Sequence, residues 1–185
     1  MTLGPRAKLA LILGGFALPI AVSFLFYAYL RPAPTANYGE LLLAPESITR
    51  SAFTRTSGAT FRFQELAGRW ILLAADSGAC AQPCPAKLVA MRQVRLALGR
   101  EADRVAMVTV LGDGAALPAG LGAAHPDMVF VRPTAPLPPS SATADRSHIY
   151  LVDPLGNVML RWPAQPDYKR MKGDLDRLLR ASQVG

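Results

Sequence analysis

"GACAQPCPAKL", residues 78 to 88, holds the only two cysteines of the 185-residue chain, Cys80 and Cys84, with three residues between them. Two thiols this close in sequence can close a disulfide, exchange one with a partner, or grip a soft metal ion. The stretch before them, "RWILLAA" at 69 to 75, is a continuous apolar run, the mark of a strand buried on both faces. The stretch after them turns helical. Pro85 suits a first turn, and Leu88, Met91, Val94 or Arg95, and Leu98 recur at helical spacing until Gly99. "RVAMVTVL" at 104 to 111 reads as the next buried strand. Strand, helix, strand predicts a right-handed crossover and a parallel pair, with the cysteines at the strand-to-helix turn.

Further out, "SAFTRTSGATFRF" places two short alternating runs around Ser57-Gly58, which predicts a hairpin. "DMVFV" at 127 to 131 reads as a strand, and the proline-rich stretch that follows, to Ser147, as a surface loop. "HIYLVD", "PLGN" and "VMLRW" read as a second hairpin. Asp167 can cap a last helix with the stripe Tyr168, Met171, Leu175 and Leu178 or Leu179. The fold class is α/β: a mixed sheet flanked by helices, with a cysteine pair at a strand-to-helix turn, the thioredoxin-like arrangement.

Leu9 to Leu30 is 22 residues without a charge, about the length that crosses a bilayer as a helix. A signal peptide's apolar core is shorter and ends at a small-residue cleavage site, and "RPAPTANYGE" offers none. The domain order expected is a cytoplasmic tail at 1–8, a transmembrane anchor at 9–30, a tether at 31–47 with Pro32, Pro34 and Pro45, and a thioredoxin-like domain at 48–185. Arg6 and Lys8 put the amino terminus in the cytoplasm. The domain then faces the periplasm from a bacterial-type inner membrane.

Outside the cytoplasm a surviving cysteine pair is a disulfide or is kept reduced for a purpose. A bridge around so short a loop restrains the unfolded chain weakly, so the pair points to chemistry rather than to a staple. At a helix amino terminus, unpaired N–H groups and the dipole stabilise a thiolate, and two thiolates select Cu(I). The net charge of +7 comes largely from the anchor flanks and the last helix, and no basic motif interleaved with aromatics suggests nucleic acid.

Together these residues resemble the Sco family, membrane-anchored thioredoxin-like factors of cytochrome c oxidase assembly. The resemblance rests on the anchor and tether, Trp70 before an apolar strand, Cys80, Cys84 and Pro85 as C-x-x-x-C-P, "ALG" at 97 to 99, and "YLVDPLGNV" at 150 to 158. It implies copper delivery to, or thiol reduction at, the oxidase's copper centre, with the copper-bearing subunit or other assembly factors as partners. Three features depart from the family, the first being "ADSGA" at 75 to 79 in place of its aromatic, glycine and threonine pattern. Ala81 replaces a proline, and Asp145 stands where the family's third ligand, a His, would be. His148 is displaced from that place by three residues, and an odd shift along a regular strand turns a side chain to the other face.

The metal ligands expected are therefore Cys80 and Cys84, with His148 as a third only if a bulge re-aims it. Cu(I) is favoured over Cu(II). His125 lies in a loop, and Met91, Met107, Met128, Met159, Trp70 and Trp162 read as packing. Two functions compete with copper handling: a general thiol-disulfide oxidoreductase with Cys80 and Cys84 as the redox pair, and a noncatalytic docking protein with a structural disulfide.

Overall fold

Trp70–Asp76 is buried at every position, and so is Val105–Leu111. Such strands need cover on both faces, and their parallel pairing, from Trp70 opposite Val105 to Asp76 opposite Leu111, forms the middle of the sheet. The structure, a computed structural model, describes residues 4–29, 37–49 and 51–182. It divides into two units, Met1–Ala36 and Asn37–Gly185.

Among its described residues the first unit holds the helix α1, Pro5–Tyr29, of which Pro5–Tyr27 is long and apolar enough to cross a membrane. Its start at Pro5 places Arg6 and Lys8 within the first turn of the helix. Residue 30, the expected end of the anchor, lies outside the described residues.

The second unit runs β1 (Glu40–Ser47), β2 (Phe53–Arg55), β3 (Thr60–Phe61), β4 (Trp70–Asp76), α2 (Cys84–Ala97), β5 (Val105–Leu111), α3 (Leu121–Ala124), β6 (Met128–Pro133), β7 (His148–Val152), β8 (Asn157–Pro163) and α4 (Tyr168–Ala181). Its eight strands lie in the order β1-β8-β7-β4-β5-β6-β2-β3. β4, β5 and β6 are parallel, and the other pairings are antiparallel. Strand alternation divides the core in two. Leu72, Ala74, Ile149 and Leu151 point to the face covered by α2 and α4, where they meet Leu88, Met91, Trp162, Met171 and Leu175. Ile71, Leu73, Tyr150 and Val152 point to the other face.

α4 is capped as its sequence implies, because the Asp167 carboxylate accepts from the Lys169 and Arg170 N–H groups. Gly99, at φ +58°, closes the end of α2 in a conformation that favours glycine.

Two expectations change. Residues 40–47, the second half of the stretch read as a tether, form β1 at the sheet edge; residues 31–36 lie outside the described residues. The strand was hidden because it contains Pro45, which an edge strand tolerates. The loop after β6 is not wholly at the surface: Ser141, Ala142 and Thr143 are buried. Among the described residues, the loop and the edge-packed rings of Phe53, Phe61 and Phe63 cover the second face of the sheet. The buried loop finds partners for these polar groups, with the Ala142 N–H on the Glu46 carboxylate of β1 and the Ser141 and Thr143 hydroxyls 2.6 Å apart.

Candidate functional site

β4 delivers the chain at Asp76, and α2 takes it up at Cys84. Between them two turns wind the backbone: the Cys80 N–H donates to the Ser77 carbonyl at 3.0 Å, and the Cys84 N–H to the Ala81 carbonyl at 2.8 Å. These turns bring the two Cα atoms to 5.0 Å, and the sulfurs form a disulfide. Cys80 has φ +44°, a left-handed conformation that a side chain rarely adopts. Both cysteines belong to the core under α2, at 6% exposure for Cys80 and 1% for Cys84, while Ala79, Ala81 and Gln82 form an exposed rim.

A second loop, 112–116, is clamped against this one. The Gly78 N–H donates to Asp113 at 2.8 Å, and the Arg132 guanidinium donates to the Asp113 and Ala115 carbonyls. The Gly78 N–H, followed by the Ser77 hydroxyl, holds the Asp113 carboxyl below its usual range. Glycine is required at 78, because a Cβ there would lie 1.9 Å from the Ala115 carbonyl oxygen.

Beneath the loop lies an ion pair. Lys87 is fully buried, with Nζ 2.5 Å from Asp76 Oδ2 and donating to the Ala75 carbonyl at 2.7 Å and the Arg146 carbonyl at 2.9 Å. It ties the first turn of α2 to the end of β4 and to the entry of β7. Sequence reasoning missed this pair, although Lys87 stands on the stripe of Cys84, Leu88 and Met91, where an apolar residue is the rule.

His148 is placed elsewhere. Its ring packs edge-on against Tyr150, 6.0 Å between centroids, on the face of Tyr150 and Val152, while the disulfide shares the opposite face with Ile149 and Leu151. Asp145 collects the neighbouring donors: His148 Nδ1 at 2.6 Å, the Tyr150 hydroxyl at 2.5 Å and the Ser147 N–H at 2.7 Å. Burial works to raise the Asp145 pKa, but these bonds, led by that of Tyr150, outweigh it and lower it to about 2. Burial and the Asp145 carboxylate push Tyr150 up to about 12.

Among the described residues no three His, Cys, Asp or Glu side chains gather as a metal site. His125 is buried after α3, and burial, aided by Arg92, lowers its pKa, which favours a neutral ring. Met91, Met107 and Met128 are core residues, and Met159 packs against that core. Trp70 and Trp162 are buried as well, with the Trp162 indole N–H on Asp174 at 3.0 Å.

Residues 70–182 match the family described as "Transmembrane-like, thioredoxin-like, C-terminal domain". No curated protein matches the chain. Among solved structures, the apo Sco1 protein from Thermus thermophilus is 18% identical with a TM-score of 0.57, over 80% of this chain and 98% of that one. ScoI of Bradyrhizobium japonicum, solved with copper bound, is 20% identical with a TM-score of 0.54, over 72% of this chain and 97% of that one. BsSco, described by its disulfide switch and as a member of the Sco family of cytochrome c oxidase assembly proteins, is 15% identical with a TM-score of 0.53, over 80% and 98%. At these identities the likeness is one of fold, and the thioredoxin-like, Sco-type fold read from the sequence is borne out.

Proposed function

We propose that this chain, which belongs to the transmembrane-like, thioredoxin-like C-terminal domain family, is a membrane-anchored extracytoplasmic factor that handles copper or thiols for the copper centre of cytochrome c oxidase. The observation that carries the proposal is the Cys80–Cys84 bridge at the start of α2, with its Cα atoms 5.0 Å apart. Two such relatives support the target, one solved with copper and one described by a disulfide switch and by oxidase assembly.

Reduced, the pair offers two soft sulfurs, which suit Cu(I) as cargo, while Cu(II) prefers imidazole and oxygen donors that this site does not gather. As a dithiol, the same pair reduces a partner's disulfide. One thiolate attacks a partner sulfur and displaces the other, and the second cysteine resolves the mixed disulfide, so two electrons leave this chain and its own bridge forms. Cys80 is the less buried residue of the pair, at 6% against 1%, which favours it as the one a partner reaches first.

The test titrates the reduced protein with each oxidation state of copper, beside Cys80→Ser, Cys84→Ser and His148→Ala. Cu(I) should bind at one equivalent through the two sulfurs and be lost in either serine variant. His148→Ala should change little. Tight Cu(II) binding that vanishes in His148→Ala would refute the two-sulfur reading. Failure to bind copper at all, with a bridge that still oxidises and reduces reversibly, would leave the thiol reading alone.

A further inference from the structure

The point at which the chain enters its second unit carries features that the disulfide chemistry does not use. Tyr38 and Gly39 donate their N–H groups to the two carboxylate oxygens of Asp174, at 3.0 and 2.8 Å, and the Tyr38 hydroxyl accepts from the Asp167 N–H at 3.1 Å. This stitches the entering chain to α4. The Arg170 guanidinium lies 4.2 Å from the centre of the Tyr38 ring, and Arg177 pairs with Asp174 at 2.9 Å. With exposed Lys169 and Arg180 they form one cationic stripe along α4, beside the entry.

Immediately afterwards the edge strand breaks register. β1 pairs Leu41 with Leu160 and then resumes only at Glu46 with Val158. Within the break Leu43 is 97% exposed while Leu42 packs against the core, and Leu41, the last residue paired before it, is 45% exposed. A bulge at a sheet edge commonly re-aims side chains. Here it presents leucine to solvent four residues after Gly39, which is bonded to α4.

We propose that this entry edge, Leu41 and the bulged Leu43 together with the α4 stripe of Lys169, Arg170, Arg177 and Arg180, docks onto an anionic phospholipid surface. Shallow apolar insertion flanked by cations is the chemistry of interfacial binding. Covalent reach selects a lipid surface as the occupant. Ten residues separate Tyr29 from Glu40, a connection that extends at most about 40 Å, so a membrane held by α1 is always within range of this edge. The charge is also one-sided. Outside the buried Lys87, the segments 84–104 and 168–181 carry nine Lys and Arg against four Asp and Glu, whereas the rest of the unit, 37–83, 105–167 and 182–185, carries seven against nine. Docking by this edge would hold the cysteine loop at a set height for a membrane-bound partner.

The inference rests on the anchored reading, and the experiment separates the two. The full chain carrying Leu43→Trp is reconstituted into vesicles of brominated phosphatidylcholine, with or without about one third phosphatidylglycerol. Flotation with the vesicles reads the anchor; quenching of the introduced indole, above the background of buried Trp70 and Trp162, reads docking. The expected result is strong quenching with phosphatidylglycerol and at least twofold less without it. Adding Lys169→Gln and Arg180→Gln should cut the docked-to-free ratio about fivefold per charge. A chain that floats with an unquenched indole overturns docking alone. Equal quenching in both vesicles overturns the role of charge, and a chain that does not float overturns the anchor and the docking together.

Discussion

Lys87→Met tests whether the cysteine loop rests on its buried ion pair. The methionine keeps the stem's volume and removes the ammonium, together with its contact to Asp76 at 2.5 Å and its bonds to the Ala75 and Arg146 carbonyls. Left behind is a carboxylate at 6% exposure whose other partner is the Ser77 N–H. Each lost neutral hydrogen bond costs only about 1 kcal/mol, but stranding a buried charge costs about 3–5 kcal/mol, so the charge decides the outcome. For a unit of this size that is a fall in Tm of roughly 10 °C. Urea unfolding of the oxidised protein measures it, with an unchanged m-value showing that the unfolded state is the same. Adding Asp76→Leu removes the stranded charge and should restore at least half of the loss, since a whole buried pair is often replaceable by apolar side chains. A cost below about 1 kcal/mol for Lys87→Met, or a double variant worse than the single, would refute the reasoning.

Asp145 is lowered from 3.8 to about 2 in the folded protein, so it adds stability that is present above pH 3.8 and lost as the pH falls through 2. Asp145→Asn should therefore cost about 1–2 kcal/mol at neutral pH, with the gap to wild type closing in acid, as read from urea midpoints across pH. Tyr150, raised to about 12, contributes below pH 10 and loses that contribution as the pH rises through 12; ultraviolet titration of its tyrosinate checks the value. Gly78→Ala meets the Ala115 carbonyl and should destabilise by about 2–3 kcal/mol in thermal unfolding, with faster reduction of the bridge as the 112–116 loop lifts. Reporter fusions after residue 40 should be active on the far side of the membrane from Arg6, and cytoplasmic activity alone would sink that orientation.

The parallel centre of the fold was legible because its signals are local and redundant. "RWILLAA" and "RVAMVTVL" are apolar throughout, the helix between them keeps its stripe, and Pro85 and Gly99 punctuate it. The cysteine pair could be placed at the turn for the same reason. β1 was hidden, since a proline-marked edge strand with a bulge has no clean alternation and is identified by its partner β8, more than a hundred residues later. The Lys87–Asp76 pair was hidden in part. A lysine on an apolar stripe was visible, but its partner depends on how β4 ends against α2, which is a tertiary fact. The buried part of the loop before β7 left no sequence signal, because Ser141 and Thr143 satisfy each other locally and read as ordinary surface residues.

Parity along β7 divides the chemistry available to this chain. β7 pairs with β4 without a break from Ile149 to Val152, and with that regular pairing His148 goes with Tyr150, away from the core that holds the disulfide. The third-ligand imidazole that the Sco resemblance implies would sit three residues earlier, where this chain has an aspartate already engaged by three donors. A metal held at Cys80 and Cys84 would then draw on two sulfurs and on whatever the receiving protein offers, which favours transfer of Cu(I) over storage of Cu(II). Two sulfurs are also all that thiol exchange requires. The two roles differ in electron count, since handing over Cu(I) leaves the cysteines reduced, whereas reducing a partner's disulfide leaves them bridged. Trapping the chain's thiols after a single encounter with its target therefore tells them apart: free thiols that take up a label mark copper transfer, and a bridge that refuses it marks reduction.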